Sequence, residues 1–143
     1  MRIKKATIND VDKISRIVSV LDAPGFDFSD KEKISNQIKN KAVDYYLALQ
    51  NKKAVGVIGI IFSRGSCQIY SVAVNIRRKG IGTRLVNFAI RQCKNKKASK
   101  IWCWSLSKYR AAGFYRKMRF EEEILLKKQW HKMDCYLFGK LLN

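Results

Sequence analysis

Apolar and polar residues alternate along several short stretches of this chain, and each such stretch predicts a β-strand. Cys67–Val74 is the clearest case, because it alternates and is rich in β-branched and aromatic residues. The same pattern predicts six more strands, at Met1–Thr7, Tyr45–Gln50, Ala54–Phe62, Ile101–Leu106, Glu121–Lys127 and Asp134–Leu142. The polar residues 51–53 predict a turn that joins two of these strands as a hairpin.

Four other segments repeat apolar residues at helical spacing instead. They are Val11–Leu21, a more polar segment that ends near Lys41, Thr83–Cys93, and a segment containing Ala111, Ala112, Phe114 and Tyr115. Small polar side chains precede three of the segments and predict their N-caps. These residues are Asn9 or Asp10 for the first, Ser29 or Asp30 for the second, and Ser107 for the last.

The order of these elements is one strand, two helices, three strands, a helix, a strand, a helix and two strands. This order predicts an α/β fold with a mixed, mostly antiparallel central sheet flanked by helices. The 143 residues, of which 47% are apolar, predict a single globular domain spanning residues 1–143.

The length of the apolar stretches and the spacing of the cysteines predict the cellular compartment of the protein. No apolar run approaches the length that spans a bilayer, and the opening residues MRIKKATIND contain no signal-peptide core, so we expect a cytoplasmic protein without a membrane partner. The four cysteines (Cys67, Cys93, Cys103 and Cys135) are far apart, and the chain has a single histidine. This spacing predicts buried core cysteines and favours neither a metal site nor a disulfide framework.

The charge of the chain is strongly positive and uneven. Thirty Lys and Arg residues face 11 Asp and Glu residues, a net charge of +19. No carboxylate lies between Asp44 and Glu121, whereas 17 basic residues do. Such a basic protein attracts polyanions, which predicts contact with a ribosome, a nucleic acid or another acidic surface; the alternative is a solvated surface without a specific partner.

Candidate chemistry lies directly after the strand Cys67–Val74, where the sequence reads R-x-x-G-x-G before a helix. A strand, a glycine-rich turn and a helix aim backbone N–H groups at a phosphate. Gly80 and Gly82 permit unusual backbone angles and the close approach of an anion. Four basic residues surround the same point: Arg77, Arg78, Lys79 and Arg84. The turn therefore predicts a pyrophosphate site, with a plain strand-to-helix turn as the alternative.

These residues resemble the acetyl-CoA signature of the GNAT N-acetyltransferase superfamily. VAV at 72–74 followed by RRKGIG at 77–82 is similar to its central strand and pyrophosphate loop, and RAAGFYRKMRF at 110–120 resembles its later A-x-x-F-Y-x-x-x-x-F segment. The opening MRIKKATINDVDKI also looks like the start of this family. The ending WHKMDCYLFGKLL is similar to the closing strand of RimI-like N-terminal protein acetyltransferases.

The resemblance implies an acyltransferase that moves an acetyl group from acetyl-CoA to a primary amine by direct attack in a ternary complex. It implies that Val72 and Val74 bond the pantetheine through their backbone, and that Tyr115 protonates the departing CoA thiolate; an ordinary core tyrosine is the alternative. The residues assigned to acetyl-CoA are Val72, Ala73, Val74, Arg77, Arg78, Lys79, Gly80, Ile81, Gly82, Thr83, Ser107 and Phe114. No metal is implied.

The sequence departs from the family at the expected general base. Many relatives carry a Glu on one of the two central strands, and here neither strand has a carboxylate. Trp102, Cys103 and Trp104 occupy the strand where RimI-like enzymes have it, and Ser107 and Lys108 stand where many relatives carry Asn. A water relay is the first candidate for removing the proton of the amine. Side-chain alternatives are His131, Asp134, Asp22 and Asp27.

Three hypotheses about the acceptor follow. The first is a protein or peptide N-terminus, lying between the first helix-loop and the final hairpin, where Phe26, Phe28 and Trp130 would line its groove. The second is an amine carried by RNA, such as aminoacyl-tRNA, which the basic middle of the chain favours. The third is a non-catalytic basic binding module with a GNAT-like fold.

Overall fold

The structure, a computed structural model, describes residues 1–77 and 79–143 and contains the predicted elements in the predicted order. The strands are β1 (Arg2–Lys5), β2 (Asp44–Gln50), β3 (Lys53–Ser63), β4 (Ser66–Val74), β5 (Lys100–Leu106), β6 (Glu121–Trp130) and β7 (Met133–Leu141). The helices are α1 (Val11–Val18), α2 (Lys31–Lys39), α3 (Ile81–Asn95) and α4 (Ala112–Lys117). Short 3-10 turns occupy Ile8–Asp10, Ser19–Leu21 and Ser107–Tyr109.

The strands form a seven-stranded sheet in the order β1-β2-β3-β4-β5-β7-β6. The pairs β1/β2, β2/β3, β5/β7 and β6/β7 are antiparallel. The pair β4/β5 is parallel and runs through three residue pairs, from Ser66 opposite Lys100 to Gln68 opposite Trp102. The predicted mixed, mostly antiparallel α/β sheet flanked by helices is confirmed.

The chain divides into two compact units, which are described separately. Unit 1 comprises Met1–Ile61 and Tyr70–Ala89, and unit 2 comprises Phe62–Ile69 and Ile90–Asn143. Unit 1 has a core in which buried apolar side chains from α1, α2, β2 and β3 cluster, including Ile14, Ile34, Leu47 and Val57. In β4 the predicted alternation corresponds to one buried face, whereas the middle of β3 is buried on both faces and β6 is almost entirely exposed.

Helix α1 has Asp10 at its N-cap position, as predicted, although the Asp10 side chain makes no capping hydrogen bond to this helix. A 3-10 turn precedes α1, and Thr7 caps that turn. Asn9 N donates to Thr7 Oγ1 at 3.3 Å, and Thr7 N donates to Asp10 Oδ2 at 2.8 Å. Burial opposes ionisation of Asp10, but the Thr7 bond and the ammonium groups of Lys4 and Lys13 keep its pKa below the ordinary value.

Two further local predictions are confirmed in unit 1. Asp30 caps α2, because its carboxylate accepts hydrogen bonds from Glu32 N at 2.9 Å and Lys33 N at 3.2 Å. The β2–β3 hairpin turns through Asn51 and Lys52, both with positive φ, as a tight two-residue hairpin turn requires.

Unit 2 begins its last helix later than the sequence predicted. Ser107 starts a 3-10 turn, and Arg110 adopts a left-handed φ of 53°, which separates this turn from α4. Ser107 Oγ instead accepts a hydrogen bond from Asp134 N at 3.2 Å. The final hairpin is also longer than predicted, because β6 extends to Trp130 before a tight turn.

Candidate active site

The end of β4 is anchored to β3 within unit 1. Val72 and Val74 are half-buried, and Ala73 between them is buried. Asn75, directly after the strand, donates from its backbone N to Val55 O at 3.0 Å and from Nδ2 to Ala54 O at 3.2 Å. These two bonds fix where the chain leaves the strand, and therefore where the basic turn begins.

The glycines of the turn have different conformations. Gly80 has a φ of 74°, and a Cβ built on it would meet no atom within 4 Å. Its carbonyl accepts the bond from Arg84 N at 3.1 Å that starts the hydrogen-bonding of α3. Gly82 is the second residue of α3 and has ordinary helical geometry, so our expectation of unusual backbone angles is met at Gly80 and was wrong for Gly82.

The first turn of α3 packs closely on β3. A Cβ at Gly56 would lie 2.9 Å from Ile81 Cγ2 and 2.9 Å from Leu85 Cδ1. Both of these side chains are buried. A glycine at position 56 is therefore what lets the helix start sit against the sheet, and the orientation of its free N–H groups depends on this contact.

The charge around this helix start is positive. Arg77, Lys79, Thr83 and Arg84 are exposed, and the first turn of α3 contains no acidic residue. Arg78, the remaining residue assigned to the loop, lies outside the described residues. Free helix N–H groups, an open glycine and surrounding cations are the features that bind a phosphate, so this part of unit 1 fits a pyrophosphate.

In unit 2, the candidate acid Tyr115 lies on α4 with 4% of its surface exposed. Its ring contacts Phe114, which is half-buried, at a centroid distance of 5.2 Å. Burial, followed by the neighbouring Cys103, raises the pKa of Tyr115 well above its ordinary value. The phenol therefore keeps its proton at neutral pH, as a proton donor must.

The side chains proposed as alternative bases have structural partners or lie at exposed positions. Asp22 accepts hydrogen bonds from Phe28 N and Ser29 N at 2.8 and 3.1 Å and also contacts Ser29 Oγ. Asp134 accepts a bond from Lys128 N at 2.9 Å. His131 lies in the exposed β6–β7 turn and Asp27 is exposed, so neither is held toward a substrate by a contact that the structure shows.

A carboxylate reaches β5 from another strand, a contact that the sequence analysis did not predict. Glu123 on β6 forms an ion pair with Lys100 on β5, with Lys100 Nζ 2.8 Å from Glu123 Oε1. The pair passes over Gly139 of β7, where a Cβ would collide with the Glu123 carboxylate and lie 2.8 Å from Lys100 Cε. The missing Cβ at Gly139 leaves the space in which these two side-chain ends meet, and a local sequence pattern does not reveal it.

Cys103 and the two tryptophans Trp102 and Trp104 lie on β5, as the sequence predicted. All four cysteines are buried and unbridged, as expected of core residues. Trp102 and Trp104 share a face of the strand, with ring centroids 6.2 Å apart and nearly perpendicular planes.

Within residues 1–77 and 79–143, no group of three His, Cys, Asp or Glu side chains is arranged to hold a metal ion, and no helix is long and apolar enough to span a membrane.

The sequence profile of the Acetyltransferase (GNAT) family matches residues 13–120, which include both the basic glycine turn before α3 and Tyr115. The chain belongs to the GNAT family. Enzymes of this family are acetyltransferases that take the acetyl group from acetyl-CoA, so the predictions of an acyltransferase and of acetyl-CoA as donor are confirmed. No curated protein sequence matches the chain.

Solved structures share the fold over the full length of this GNAT chain. smu.2055 from Streptococcus mutans UA159 has a TM-score of 0.87 at 22% identity, with 100% of each chain covered. The ribosomal-protein-alanine N-acetyltransferase from Brucella melitensis has a TM-score of 0.84 at 21% identity, with 99% and 100% covered. The IAA acetyltransferase from Bacillus cereus ATCC 14579 has a TM-score of 0.78 at 19% identity, with 99% of each covered. Each identity is below 25%, and the two named enzymes differ in acceptor, so the likeness shows the fold alone.

Proposed function

We propose that this GNAT enzyme acetylates the amino terminus of a protein or peptide by direct transfer in a ternary complex. Acetyl-CoA, when bound, supplies the thioester carbonyl that the acceptor amine attacks. The backbone of Val72, Ala73 and Val74 is proposed to bond the pantetheine. Residues 77–83 are proposed to hold the pyrophosphate, with Ser107 and Phe114 as further contacts. One structural neighbour, the ribosomal-protein-alanine N-acetyltransferase from Brucella melitensis, is named for an acceptor of this class, which supports the proposal.

The observation that carries the proposal is an ordered aromatic loop between α1 and α2 in unit 1. The rings of Phe26 and Phe28 stack at 6.5 Å, and Phe28 contacts Tyr70 at 5.4 Å. The Asp22 carboxylate holds this loop through the amides of Phe28 and Ser29. Half-buried rings on a fixed backbone can contact the side chain of a peptide's first residue. Because these rings are already ordered, binding the peptide would cost little conformational entropy in this loop.

The chemistry assigned to Tyr115 follows from its protonation state. When the amine nitrogen bonds to the carbonyl carbon, the carbon–sulfur bond breaks and the sulfur leaves as a thiolate. Tyr115 transfers its phenolic proton to that sulfur and is then reprotonated from solvent. A proton donor placed at the leaving group typically contributes about 10²–10⁴-fold to rate.

A water relay is proposed to remove the proton from the attacking amine. The described parts of β4 and β5 carry no carboxylate, and Asp22 and Asp134 are already engaged in backbone hydrogen bonds. We therefore expect His131→Ala to change kcat less than about threefold, with a smooth pH–rate profile. A loss of kcat of tenfold or more in this variant would contradict the relay.

The acceptor class is tested with radiolabelled acetyl-CoA and peptides that differ only in their first residue. Each peptide contains an internal lysine and is supplied with a free and with a blocked amino terminus. We expect label in the free peptides alone, and a loss of about 10²-fold or more in kcat for Tyr115→Phe with unchanged acetyl-CoA affinity. Equal labelling of blocked peptides would move the acceptor to the lysine side chain, against the proposal.

Aminoacyl-tRNA is the second candidate acceptor, favoured by the 17 basic residues and no carboxylate between Asp44 and Glu121. Phosphate contacts by Lys and Arg dominate nucleic-acid affinity and weaken steeply with salt. The same labelling experiment on a cell extract, split into protein and RNA, separates the two candidates. Label in RNA that is lost on deacylation would favour aminoacyl-tRNA, and label in protein that is lost on removing the first residue would favour the peptide.

A further inference from the structure

The ring of Tyr115 is fixed by aromatic neighbours within unit 2. It stacks on Phe138 of β7 at a centroid distance of 5.1 Å, with an interplanar angle of 23°. Phe120 meets its edge at 5.3 Å, and Phe114 does so at 5.2 Å. These contacts set the plane of the ring, but they leave the hydroxyl hydrogen free to rotate about the carbon–oxygen bond. Another group must decide where that hydrogen points.

Cys103 lies where it can reach this hydroxyl. In the β5–β7 register it is directly opposite Phe138, the residue on which the Tyr115 ring stacks. Directly opposed residues of an antiparallel pair project to the same face of the sheet, so Cys103 and Phe138 share the face that Tyr115 covers. Cys103 is 1% exposed, and a side-chain hydrogen bond with Tyr115 is among the causes that set the pKa of each group.

The thiol suits a supporting role and not a reactive one. Burial raises the pKa of Cys103 to about 12, although the bond with Tyr115 lowers it. At neutral pH the group is therefore a neutral thiol, which is neither a nucleophile nor a general base. A neutral thiol is a weak donor and a weak acceptor. The thiol can accept a hydrogen bond from the phenol at rest. It can donate a hydrogen bond to the phenol oxygen when the phenolic proton points toward the leaving sulfur.

We propose that Cys103 is a positioning residue that holds the hydroxyl of Tyr115 in the orientation for proton transfer. The proposal rests on the proposed function, in which Tyr115 protonates the leaving thiolate. The stacked rings fix the plane of the phenol, and the thiol fixes its oxygen. In this role Cys103 acts on the reaction through Tyr115 and takes no part in proton transfer itself.

The contact itself is tested by nuclear magnetic resonance on the full chain with tyrosine labelled at Cζ with ¹³C. The Tyr115 signal among the six tyrosines is assigned by its disappearance in Tyr115→Phe. We expect Cys103→Ala to shift this signal and Cys103→Ser to return it toward the wild-type position, since a hydroxyl also donates and accepts. An unchanged Tyr115 signal in Cys103→Ala would overturn the proposal, whatever the activity.

The functional role is tested by a double-mutant cycle on acetyl transfer to a peptide with a free N-terminal alanine. We expect Cys103→Ala to lower kcat about 3- to 10-fold, the equivalent of one ordinary hydrogen bond, without changing the KM for acetyl-CoA. In the Tyr115→Phe background the same substitution should cause no further loss, and Cys103→Ser should recover most of the rate. Cys135→Ala, which removes another buried thiol of unit 2, should keep the wild-type kcat.

The outcomes separate this role from structural damage and from failure of the proposed function. An equal loss for Cys103→Ala in both backgrounds would indicate a packing effect and overturn the proposal. No loss in Cys103→Ala, with a large loss in Tyr115→Phe, would overturn it while the proposed function stands. Absence of transfer by the wild type, or a wild-type rate in Tyr115→Phe, would overturn the proposed function and the positioning role with it. If Cys103→Ala does not fold, Cys103→Val replaces it in the cycle.

Discussion

Gly56→Ala tests how the first turn of α3 is held against β3. The added methyl group would lie 2.9 Å from Ile81 Cγ2 and from Leu85 Cδ1. Neither side chain can swing into solvent, because both are buried. Carbon atoms pack favourably at about 3.5–4.0 Å, so the helix start must move by about 0.5–1 Å. The substitution therefore changes packing and the pyrophosphate turn together.

The magnitude follows from two opposing effects. Overpacking a well-packed core costs about 1–3 kcal/mol of the free energy of unfolding. Replacing a glycine stiffens the unfolded chain and returns about 0.4–1 kcal/mol. The net destabilisation of Gly56→Ala is then about 1–2 kcal/mol, which lowers Tm by roughly 3–8 °C. Displacing the N–H groups that we propose bind the pyrophosphate should also raise the Kd for acetyl-CoA about 3- to 10-fold.

Thermal unfolding followed by circular dichroism measures the first effect, and calorimetric titration with acetyl-CoA measures the second. Gly113→Ala is the matched control, because Gly113 lies in α4 and a Cβ there would meet no atom within 4 Å. We expect this control to stabilise the protein by about 0.5–1 kcal/mol. If Gly56→Ala has the Tm and the acetyl-CoA affinity of the wild type, the argument that Gly56 seats the helix start is refuted.

Two further predictions concern polar contacts. Asp10→Asn should reduce stability at pH 7 by about 1–3 kcal/mol by weakening the bond to Thr7. Because the folded-state pKa of Asp10 is lowered, this difference should shrink as pH falls through that pKa, below the ordinary value; equal gaps in urea unfolding at pH 7 and pH 3 would contradict it. Gly139→Ala should displace the flexible ends of Lys100 and Glu123 and cost less than about 1 kcal/mol, with a diminished salt dependence of Tm.

Local patterns predicted most of the fold. The alternation of Cys67–Val74 and the helical spacing after Gly80 correspond to β4 and α3, because one buried face repeats along each element. The R-x-x-G-x-G spacing likewise placed a left-handed glycine at a helix start, since that geometry depends on a few consecutive residues. The resemblance then supplied the family, which the match over residues 13–120 bears out.

Element boundaries depended on contacts that local patterns do not contain. Asn9, Asp10 and Ser107 were all plausible caps by residue type. Asp10 takes the N-cap position of α1, but its carboxylate accepts a hydrogen bond from Thr7 N in the preceding 3-10 turn and makes no capping bond to the helix. Ser107 Oγ accepts a hydrogen bond from Asp134 N of β7. Residue type alone does not determine which hydrogen bond a small polar side chain makes near a helix end. The backbone groups that the tertiary structure brings within reach determine it.

The sequence by itself determined the order of the elements, the basic glycine turn and the candidate acid Tyr115. Each of these can be recognised from a short segment, because it depends on residues that are close together in the chain. Only the tertiary structure placed Cys103 against that acid, Gly56 under the helix start, and the ion pair of Lys100 and Glu123 over β7. The physical reason is that these contacts join residues from separate strands and helices. Their partners are set by sheet register and by the space that a missing Cβ leaves.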